Sequence, residues 1–592
     1  QQGSWGNFGV YTYLLLEPGV DPEKFENKLQ ELSDQYVKPL FERLGITVQY
    51  GLDPITWIHL HSRYEGEPEP TGSIEYVLIF GMVALFMLVI AGINYMNLAT
   101  SRSTHRAREV GLRKVVGSGR SMLIYQFLTE SFVLTFIAMV FSVVLLILFL
   151  PQFNQLSGKA LTGNALLQPG IIWSAIGMLI MISLGAGSYP AFYLSRFNPI
   201  RVLKGSWGSQ YRKFSFRKVL VVIQFAISTA MIINTWVVYK QVAFLRDKDV
   251  GFDKSNVVRI NMTNRNMVRQ SAVLKEKLRK HPDILRVGST STPMGEGSGK
   301  VIMTVETADG EMDDRGINIG SCDEDFIETL GIAILEGRDF TTEIMSDTAT
   351  GALINQTLAR RMNWDQPIGK KVKIGSNSAD NDNPVARVVG VMGDYNQTGL
   401  YNEVESYLLM FRRDNPIIYL RIGERDLPAT MAFVEQTWNE VFPDMPFEFT
   451  YLENDLGEQF EPDRRRGLIL AIFSLLTIVI ASLGLFGLSS YTVEQRTREI
   501  GIRKVMGAGV GHITVMISLE FFWLILISMA LAFPVAYYLM REWLQNFVYR
   551  APLEPLLFFL TGIFIILVAM LTISYHTYRA GRLNPVDSIR QE

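Results

Sequence analysis

Seven blocks of apolar residues dominate this chain, and each is about as long as a membrane span. A helix needs roughly 20 apolar residues to cross a hydrocarbon layer of about 30 Å. Lipid offers no hydrogen-bonding partners to backbone groups, so segments of this kind span as helices. The chain is therefore expected to be a multi-pass α-helical membrane protein. The predicted spans are residues 74–99, 127–150, 171–194, 219–239, 468–490, 513–540 and 555–575.

A basic segment of fourteen residues occurs twice, 390 residues apart. Residues 106–119 read RAREVGLRKVVGSG, and residues 496–509 read RTREIGIRKVMGAG. Each of these repeated segments follows one apolar block and precedes another. An Asn-Pro pair also follows the last block of each set, at residues 198–199 and 584–585. Spans five to seven therefore form an internal repeat of spans one to three.

The distribution of charge orients the predicted spans. Residues 101–125 carry six Arg and Lys against one acid, and residues 195–218 carry seven against none. The second repeated segment and the C-terminal tail are also basic. If each block crosses once, these four regions share one side, which the positive-inside rule identifies as the cytoplasm. A basic cluster at residues 464–466 runs against this trend. The remaining connections are expected to be extracytoplasmic.

The largest extracytoplasmic segment has the alternating pattern of an α+β domain, either single or made of two small lobes. Short β-branched runs predict strands, and amphipathic stretches between them predict helices. A polar loop is predicted at residues 375–384. The predicted strands are 256–261, 300–306, 352–355, 386–391 and 417–422, and the predicted helices are 267–280, 324–330, 355–362 and 427–441.

Residues 9–64 resemble the end of a related domain. The pattern predicts a strand at 10–16, a helix at 22–43 and a strand at 58–60. The internal repeat would pair the fourth span, and the domain after it, with counterparts ahead of this stretch. We therefore expect that a first span and the start of a first extracytoplasmic domain precede residue 1, which gives four plus four spans.

Several kinds of site are excluded by composition. The single cysteine, Cys322, allows no intramolecular disulfide and no zinc site built on paired cysteines. The six histidines are scattered; His59 and His61 would share one face of the predicted strand, but no further metal ligand is visible. The phosphate-loop pattern GxxxxGK[ST] is absent. We therefore expect no metal, no catalytic residue and no ATP hydrolysis by this chain.

Each repeated segment has the pattern of a basic amphipathic helix. In the first copy, Val110, Leu112, Val115 and Val116 are apolar, and the Arg and Lys residues between them are charged. Such a helix can lie on anionic lipid headgroups or dock against a protein. Two near-identical copies, each with an acid among the bases, favour a specific protein surface.

The repeated segments resemble the cytoplasmic coupling region of the FtsX-like permease family, the MacB type of ABC transporter membrane subunit. The motifs FIETLG at 326–331, LEGRDF at 335–340 and PIGK at 367–370 resemble the MacB-type periplasmic core domain. Residues 52–62 and 93–98 resemble the first half of long two-repeat permeases of the Bacteroidota-like form. The resemblance implies a type VII ABC transporter-like fold with α+β extracytoplasmic domains.

The resemblance also implies partners and roles. A separate ABC ATPase dimer would bind ATP and Mg, leaving no cofactor in this chain. A second permease copy or a paralogue, and a periplasmic adaptor or outer-membrane protein, would complete the assembly in the bacterial inner membrane. Lipid is the other partner, and nucleic acid is not one. The implied ATPase-coupling residues are Arg108, Glu109, Gly111, Arg113, Lys114, Gly117, Arg498, Glu499, Gly501, Arg503, Lys504 and Gly507.

These inferences give an expected domain order. A first extracytoplasmic domain ends at 73, and three spans follow at 74–194. A cytoplasmic linker occupies 195–218 and a stalk span 219–240. The second extracytoplasmic domain covers 241–465, three further spans 466–578 and a cytoplasmic tail 579–592.

Three function classes remain open. The first is a permease subunit that converts ATPase movement into movement of the extracytoplasmic domains, for export or for extrusion of lipoproteins, peptides or antibiotics. The second is a mechanotransmission subunit that signals to an external cell-wall hydrolase or sensor. The third, a membrane-bound enzyme, has no visible catalytic arrangement in residues 241–465.

Overall fold

A computed structural model describes residues 11–41, 48–62, 67, 72–101, 110, 112–195, 216–374 and 385–581. The chain divides into two compact units. The extracytoplasmic unit comprises Gln1–Ser73, Phe244–Glu461 and Phe547–Tyr549. The membrane unit comprises Ile74–Ala243, Pro462–Asn546 and Arg550–Glu592. The elements are numbered below in chain order.

The N-terminal part of the extracytoplasmic unit is helical. Helix α1 (Pro22–Leu32) begins where the Asp21 side chain accepts a hydrogen bond from the Glu23 N–H. A π-helical turn (Ser33–Val37) leads into α2 (Lys38–Phe41). The predicted strand at 58–60 is wrong, because these residues lie in α3 (Ile55–His61), whose first turn is closed by a 2.7 Å bond from the Trp57 N–H to the Pro54 carbonyl. Residues 11–16 of the predicted first strand have no regular structure.

The first half of the membrane unit contains long apolar helices. Residues 112–115 form a short helical turn between the first two of them. A 3₁₀ turn, Gly163–Leu167, links the second and third. The helices are α4 (Ile74–Ser101), α5 (Arg120–Ser157), α6 (Pro169–Ser195) and α7 (Phe216–Asp247).

The main part of the extracytoplasmic unit alternates strands and helices. Asn264 and Asp426 cap the helices that begin at Arg265 and Leu427 by accepting backbone N–H bonds at 2.9 and 3.1 Å. The strands are β1 (Val257–Asn261), β2 (Ile284–Thr290), β3 (Lys300–Glu306), β4 (Met312–Cys322), β5 (Ile334–Gly337), β6 (Gly351–Asn355), β7 (Lys371–Ile374), β8 (Val385–Met392), β9 (Tyr407–Phe411), β10 (Ile417–Ile422) and β11 (Phe449–Tyr451). The helices are α8 (Arg265–Leu278), α9 (Phe326–Leu330), α10 (Met345–Thr350), α11 (Gln356–Arg361), α12 (Leu427–Val441) and α13 (Leu452–Glu458).

These strands form two lobes, each with its own core. In the first lobe, strands in the order β11-β1-β10-β2 are antiparallel, and α8 and α12 contribute to the core around Leu274 and Trp438. In the second lobe, the order β4-β3-β7-β8-β6-β9 closes on itself, because β9 pairs with β4 in parallel. The lobes join where Thr290 of β2 pairs with Cys322 of β4. The predicted loop at 375–384 lies outside the described residues.

The second half of the membrane unit repeats the long helices of the first. Of the described helices, six are long and apolar enough to cross a membrane. They are α4, α5, α7 and the helices that begin at Glu461, Val510 and Pro555. The span predicted at 171–194 falls in α6, a helix of 27 residues. The helices of this half are α14 (Glu461–Gln495), α15 (Thr497–Val505), α16 (Val510–Leu544) and α17 (Pro555–Gly581).

One carboxyl group makes the extracytoplasmic unit sensitive to pH. Burial, together with the nearby Asp323 and Asp325 carboxylates and against a bond from the Phe340 N–H, raises the pKa of Asp339 from 3.8 to about 7. The folded unit therefore keeps a proton that the unfolded chain releases above about pH 4. Stability should fall as pH rises from about 4 to about 7 and then level off.

We predict that Asp339→Asn reduces this pH dependence. The buried Cys322 is the chain's single cysteine, so its reaction with a maleimide reports unfolding of the unit. The full chain in detergent is heated at several pH values and then labelled at one common pH. The temperature of labelling should decline with pH in the wild type and decline less steeply in Asp339→Asn. The exposed Asp309→Asn serves as control, and an equal slope in all three proteins would contradict the prediction.

Candidate functional site

The second repeated segment folds into a short helix with a glycine-terminated end. Helix α15 ends with 3.0 Å bonds from the Met506 N–H to Ile502 and from the Gly507 N–H to Lys504. The Ala508 N–H donates to the Arg503 carbonyl at 2.9 Å. This is the Schellman pattern, in which the residue after the helix takes a left-handed conformation. Gly507 does so, with φ of 95°.

The first repeated segment ends in the same way at each corresponding position. Val116 donates to Leu112 at 3.0 Å, Gly117 to Lys114 at 3.2 Å and Ser118 to Arg113 at 2.9 Å. Gly117 has φ of 105°. A residue with a Cβ is strained in this conformation, which explains the glycine in both copies. Arg108, Glu109, Gly111 and the side chain of Arg498 lie outside the part of the chain that the structure describes.

One apolar residue of each copy is buried against the neighbouring spans. Val110 packs in a cluster with Leu123, Phe127 and Ala191, and the equivalent Ile500 packs in a cluster that includes Ile513. Their exposed fractions are 2% and 3%. This buried side chain therefore helps to anchor each repeated segment to the membrane unit. Burial thus separates Val110 from Leu112, Val115 and Val116, the other apolar positions of the first segment.

Three other apolar residues of each copy are exposed at equivalent positions. They are 60%, 62% and 81% exposed in the first copy, and 52%, 66% and 84% in the second. All six lie in the last turn of the helix within each segment or directly after that helix. We call these the apolar triplets: Leu112, Val115 and Val116, and Ile502, Val505 and Met506.

An arginine in each copy reaches over the next long helix. Arg113 donates to the Gln126 side chain at 2.9 Å, and the equivalent Arg503 contacts Met516, which is equivalent to Gln126. Arg503 also pairs with Glu499 at 2.6 Å. Partial burial, together with the positive charge of Arg120, lowers the pKa of Lys114. The basic residues thus border the triplets at the membrane surface.

A carboxylate missed in the sequence joins the second repeated segment to another helix. Glu520 of α16 pairs with Arg496, just before α15, at 2.7 Å and with Lys218 at the start of α7 at 2.5 Å. The sequence held one signal for it, an acid inside a predicted span. Its partner Lys218 is distant in the chain, so no local pattern could indicate the pair.

Two family models match the chain. The FtsX-like permease C-terminal model matches residues 81–199 and again 471–585. The MacB-like periplasmic core domain model matches residues 221–430. The two FtsX-like matches coincide with the two repeats. The periplasmic match covers most of α7, strands β1, β2 and β10 of the first lobe, and the second lobe.

Curated proteins that are similar to this chain are named as MacB proteins and as an ABC transporter permease. The macrolide export ATP-binding/permease protein MacB of Bdellovibrio bacteriovorus is 31% identical over 127 residues, 22% of this chain and 19% of that protein. MacB of Chromobacterium violaceum is 24% identical over 315 residues, 50% of this chain and 48% of that protein. The uncharacterized ABC transporter permease YknZ of Bacillus subtilis is 31% identical over 131 residues, 21% of this chain and 31% of that protein. The chain thus spans less than half the length of these relatives.

Solved structures that match come from the same group. The periplasmic region of MacB from Actinobacillus actinomycetemcomitans matches with TM-score 0.26 and 14% identity, over 35% of this chain and 94% of that one. The extracellular domain of the transporter YknZ matches with TM-score 0.23 and 13% identity, over 33% and 97%. On the family matches, the chain belongs to the FtsX-like, MacB-type family of ABC transporter permeases, with a MacB-like periplasmic core domain between its two FtsX-like repeats.

Proposed function

We propose that this chain converts the movement of a separate ABC ATPase pair into movement of its extracytoplasmic domains. The work would serve export, or extrusion of lipoproteins, peptides or antibiotics, across the bacterial inner membrane. ATP and Mg would be bound by the ATPase and not by this chain. The observation that carries the proposal is the pair of matching apolar triplets, each exposed at the glycine-terminated end of an anchored segment.

The placement of the triplets favours a protein partner over lipid. A helix that lies on a membrane presents one apolar stripe along its length. Here Ile500 turns inward, and the exposed apolar side chains cluster in and after the last turn of α15. A compact apolar cluster with a basic border fits a pocket on an acidic protein surface. The ATPase-coupling role therefore extends from the motif residues to the triplets.

The ion pairs of Glu520 provide a route for the movement. They connect the start of α15 to α7, and α7 continues along the chain into the strand β1 of the extracytoplasmic unit. Helix α7 has 32 residues, which gives it a length of about 48 Å. A displacement of the repeated segment would thus act on the end of one long rigid helix.

The signalling alternative uses the same movement for a different end. It differs from export in what binds the extracytoplasmic domains: a periplasmic adaptor, an outer-membrane protein or a transported substrate for export, and a cell-wall hydrolase or sensor for signalling. The two alternatives can be distinguished by the proteins that co-purify with the full chain. A protein that binds the extracytoplasmic domain should be lost when residues 244–461 are removed.

We predict that Val115→Ser combined with Val505→Ser abolishes ATPase binding. Burial of an apolar side chain of this size contributes about 1.5–3 kcal/mol, so each site should weaken binding about tenfold or more. The measurement is co-purification of the cognate ATPase with the full chain in detergent. Val273→Ser, at a similarly exposed valine of the extracytoplasmic unit, is the matched control. Wild-type recovery of the ATPase with the double variant would contradict the docking role.

We predict that Glu520→Gln separates ATPase binding from movement. The neutral amide cannot form ion pairs with Arg496 and Lys218. The apolar triplets are unchanged in this variant. Co-purification of the ATPase should therefore stay within about fivefold of wild type, since partly exposed ion pairs contribute about 1 kcal/mol or less. Hydrogen exchange of residues 244–461 should lose its response to ATP.

The control for this measurement is Glu542→Gln, an exposed acid on the same helix α16. It should bind the ATPase and respond to ATP as the wild type does. An undiminished ATP response in Glu520→Gln would show that the movement does not pass through these ion pairs.

A further inference from the structure

The short connection between helices α16 and α17 enters the extracytoplasmic unit. Residues Phe547–Tyr549 belong to that unit, whereas the helices on either side of them belong to the membrane unit. We call these three residues the strap. Phe547 is only 5% exposed, although it follows the end of α16 in a loop. Loops usually run over the surface, so a phenylalanine buried to this extent in a loop indicates specific packing.

Aromatic side chains of the extracytoplasmic unit hold the first residue of the strap. The ring centres of Phe547 and Tyr401 are 6.0 Å apart, and those of Tyr401 and Phe460 are 5.7 Å apart. Aromatic rings at such distances attract each other beyond the burial of their area. Tyr401 lies in the loop between β8 and β9, and Phe460 directly precedes α14. The strap therefore packs directly against a loop of the second lobe.

Polar contacts hold the last residue of the strap to the same loop. The Tyr549 hydroxyl donates to the Asn396 side chain at 3.2 Å. The Lys248 ammonium lies 4.1 Å from the centre of the Tyr549 ring, which is a cation–π contact. Burial and the carboxylates of Glu403 and Asp394 raise the pKa of Tyr549, so its hydroxyl stays protonated and able to donate. The strap is thus attached to this loop at both of its ends.

The chain on either side of the strap has little slack. The Gln545 and Asn546 N–H groups donate to carbonyls in the last turn of α16, at 3.0 and 3.2 Å. Beyond the strap, the Ala551 N–H donates to the Gln241 side chain of α7 at 2.8 Å. An extended chain spans at most about 3.6 Å per residue. A large displacement of α16 must therefore move the strap or break its contacts.

We propose that the strap transmits displacement of helix α16 to the second lobe, with Phe547 and Tyr549 as its positioning residues. Helix α16 begins at Val510, directly after the second repeated segment, and its 35 residues give it a length of about 52 Å. The same helix carries Glu520, so the strap lies at the far end of the element that the ion pairs connect to α7. The transmission rests on the proposed function, whereas the docking of the strap does not.

Added slack tests the transmission and leaves the contacts of the strap unchanged. Insertion of Gly-Ser-Gly-Ser between Asn546 and Phe547 lengthens the connection by up to about 14 Å. Hydrogen exchange of residues 394–403 is measured in the full chain with its cognate ATPase, with and without ATP. The wild type should respond to ATP, and the insertion variant should lose this response. Residues 257–261, which follow α7 along the chain, should keep theirs.

The matched control is the same insertion between Thr162 and Gly163, in the equivalent connection of the first repeat, which should respond as the wild type does. An undiminished response of residues 394–403 in the strap variant would overturn the proposal and leave the proposed function intact. Loss of the response in residues 257–261 as well would also overturn it, because the effect would not be confined to the strap. A wild type without any response to ATP would contradict the proposed function, and the transmission with it.

The docking of the strap is tested without ATPase or nucleotide. Phe547→Ala should raise hydrogen exchange of residues 394–403 in the full chain in detergent, because the loop loses an aromatic contact. Tyr549→Phe keeps the ring beside Lys248 but cannot donate to Asn396, so it should raise exchange less. Phe559→Ala, at an exposed phenylalanine of α17, is the control and should leave exchange unchanged. Exchange at the wild-type level in Phe547→Ala would overturn the docking, and the transmission with it.

Discussion

The need to satisfy backbone hydrogen bonds inside hydrocarbon determines the organisation of the membrane unit. It makes each apolar block a helix and confines irregular backbone to the ends of the spans. Every helix end leaves carbonyl groups without intrahelical partners, and these must be satisfied locally. Gly117 and Gly507 solve this problem with the same three backbone bonds in both copies. The apolar triplets lie in the last helical turn and directly before this glycine.

The two repeats have kept their ends and diverged along their contact. The ends keep the same backbone bonds, the same buried anchor and the same three exposed positions. Along α4 and α14, by contrast, Tyr76 replaces what is Arg466 in the other repeat, and Asn94 replaces what is Gly484. The Arg466 guanidinium lies 3.8 Å from the centre of the Tyr76 ring, and a Cβ at Gly484 would overlap the Asn94 side chain. Each change thus makes one helix fit the other.

How much the sequence could predict depended on whether a pattern was local. The strand at Ile417–Ile422 and the helix at Leu427–Val441 have the predicted bounds, because burial on one face shows in their own residues. Strand β4 was not predicted, because its first residues, Met312 to Gly316, do not alternate between apolar and polar. Antiparallel pairing with β3 keeps these residues extended. The segment 58–60 was assigned to a strand from its composition, but Pro54 starts a helix there. The repeated segments can be recognised in the sequence alone. The ion pairs of Glu520 join residues that are distant in the chain, so they can be recognised only in the folded structure.

Two ionic sites of the chain differ in burial. In the extracytoplasmic unit, Lys275 and Asp323 are almost fully buried and 2.7 Å apart, and Ser289 also donates to Asp323. Removing one partner from such a pair leaves an uncompensated charge, so the pair holds the first lobe rigidly to β4. Glu520 and its cationic partners remain 27–50% exposed, so each pair contributes about 1 kcal/mol or less. Water can therefore replace the bonds of Glu520 at lower cost than the buried bonds of Asp323.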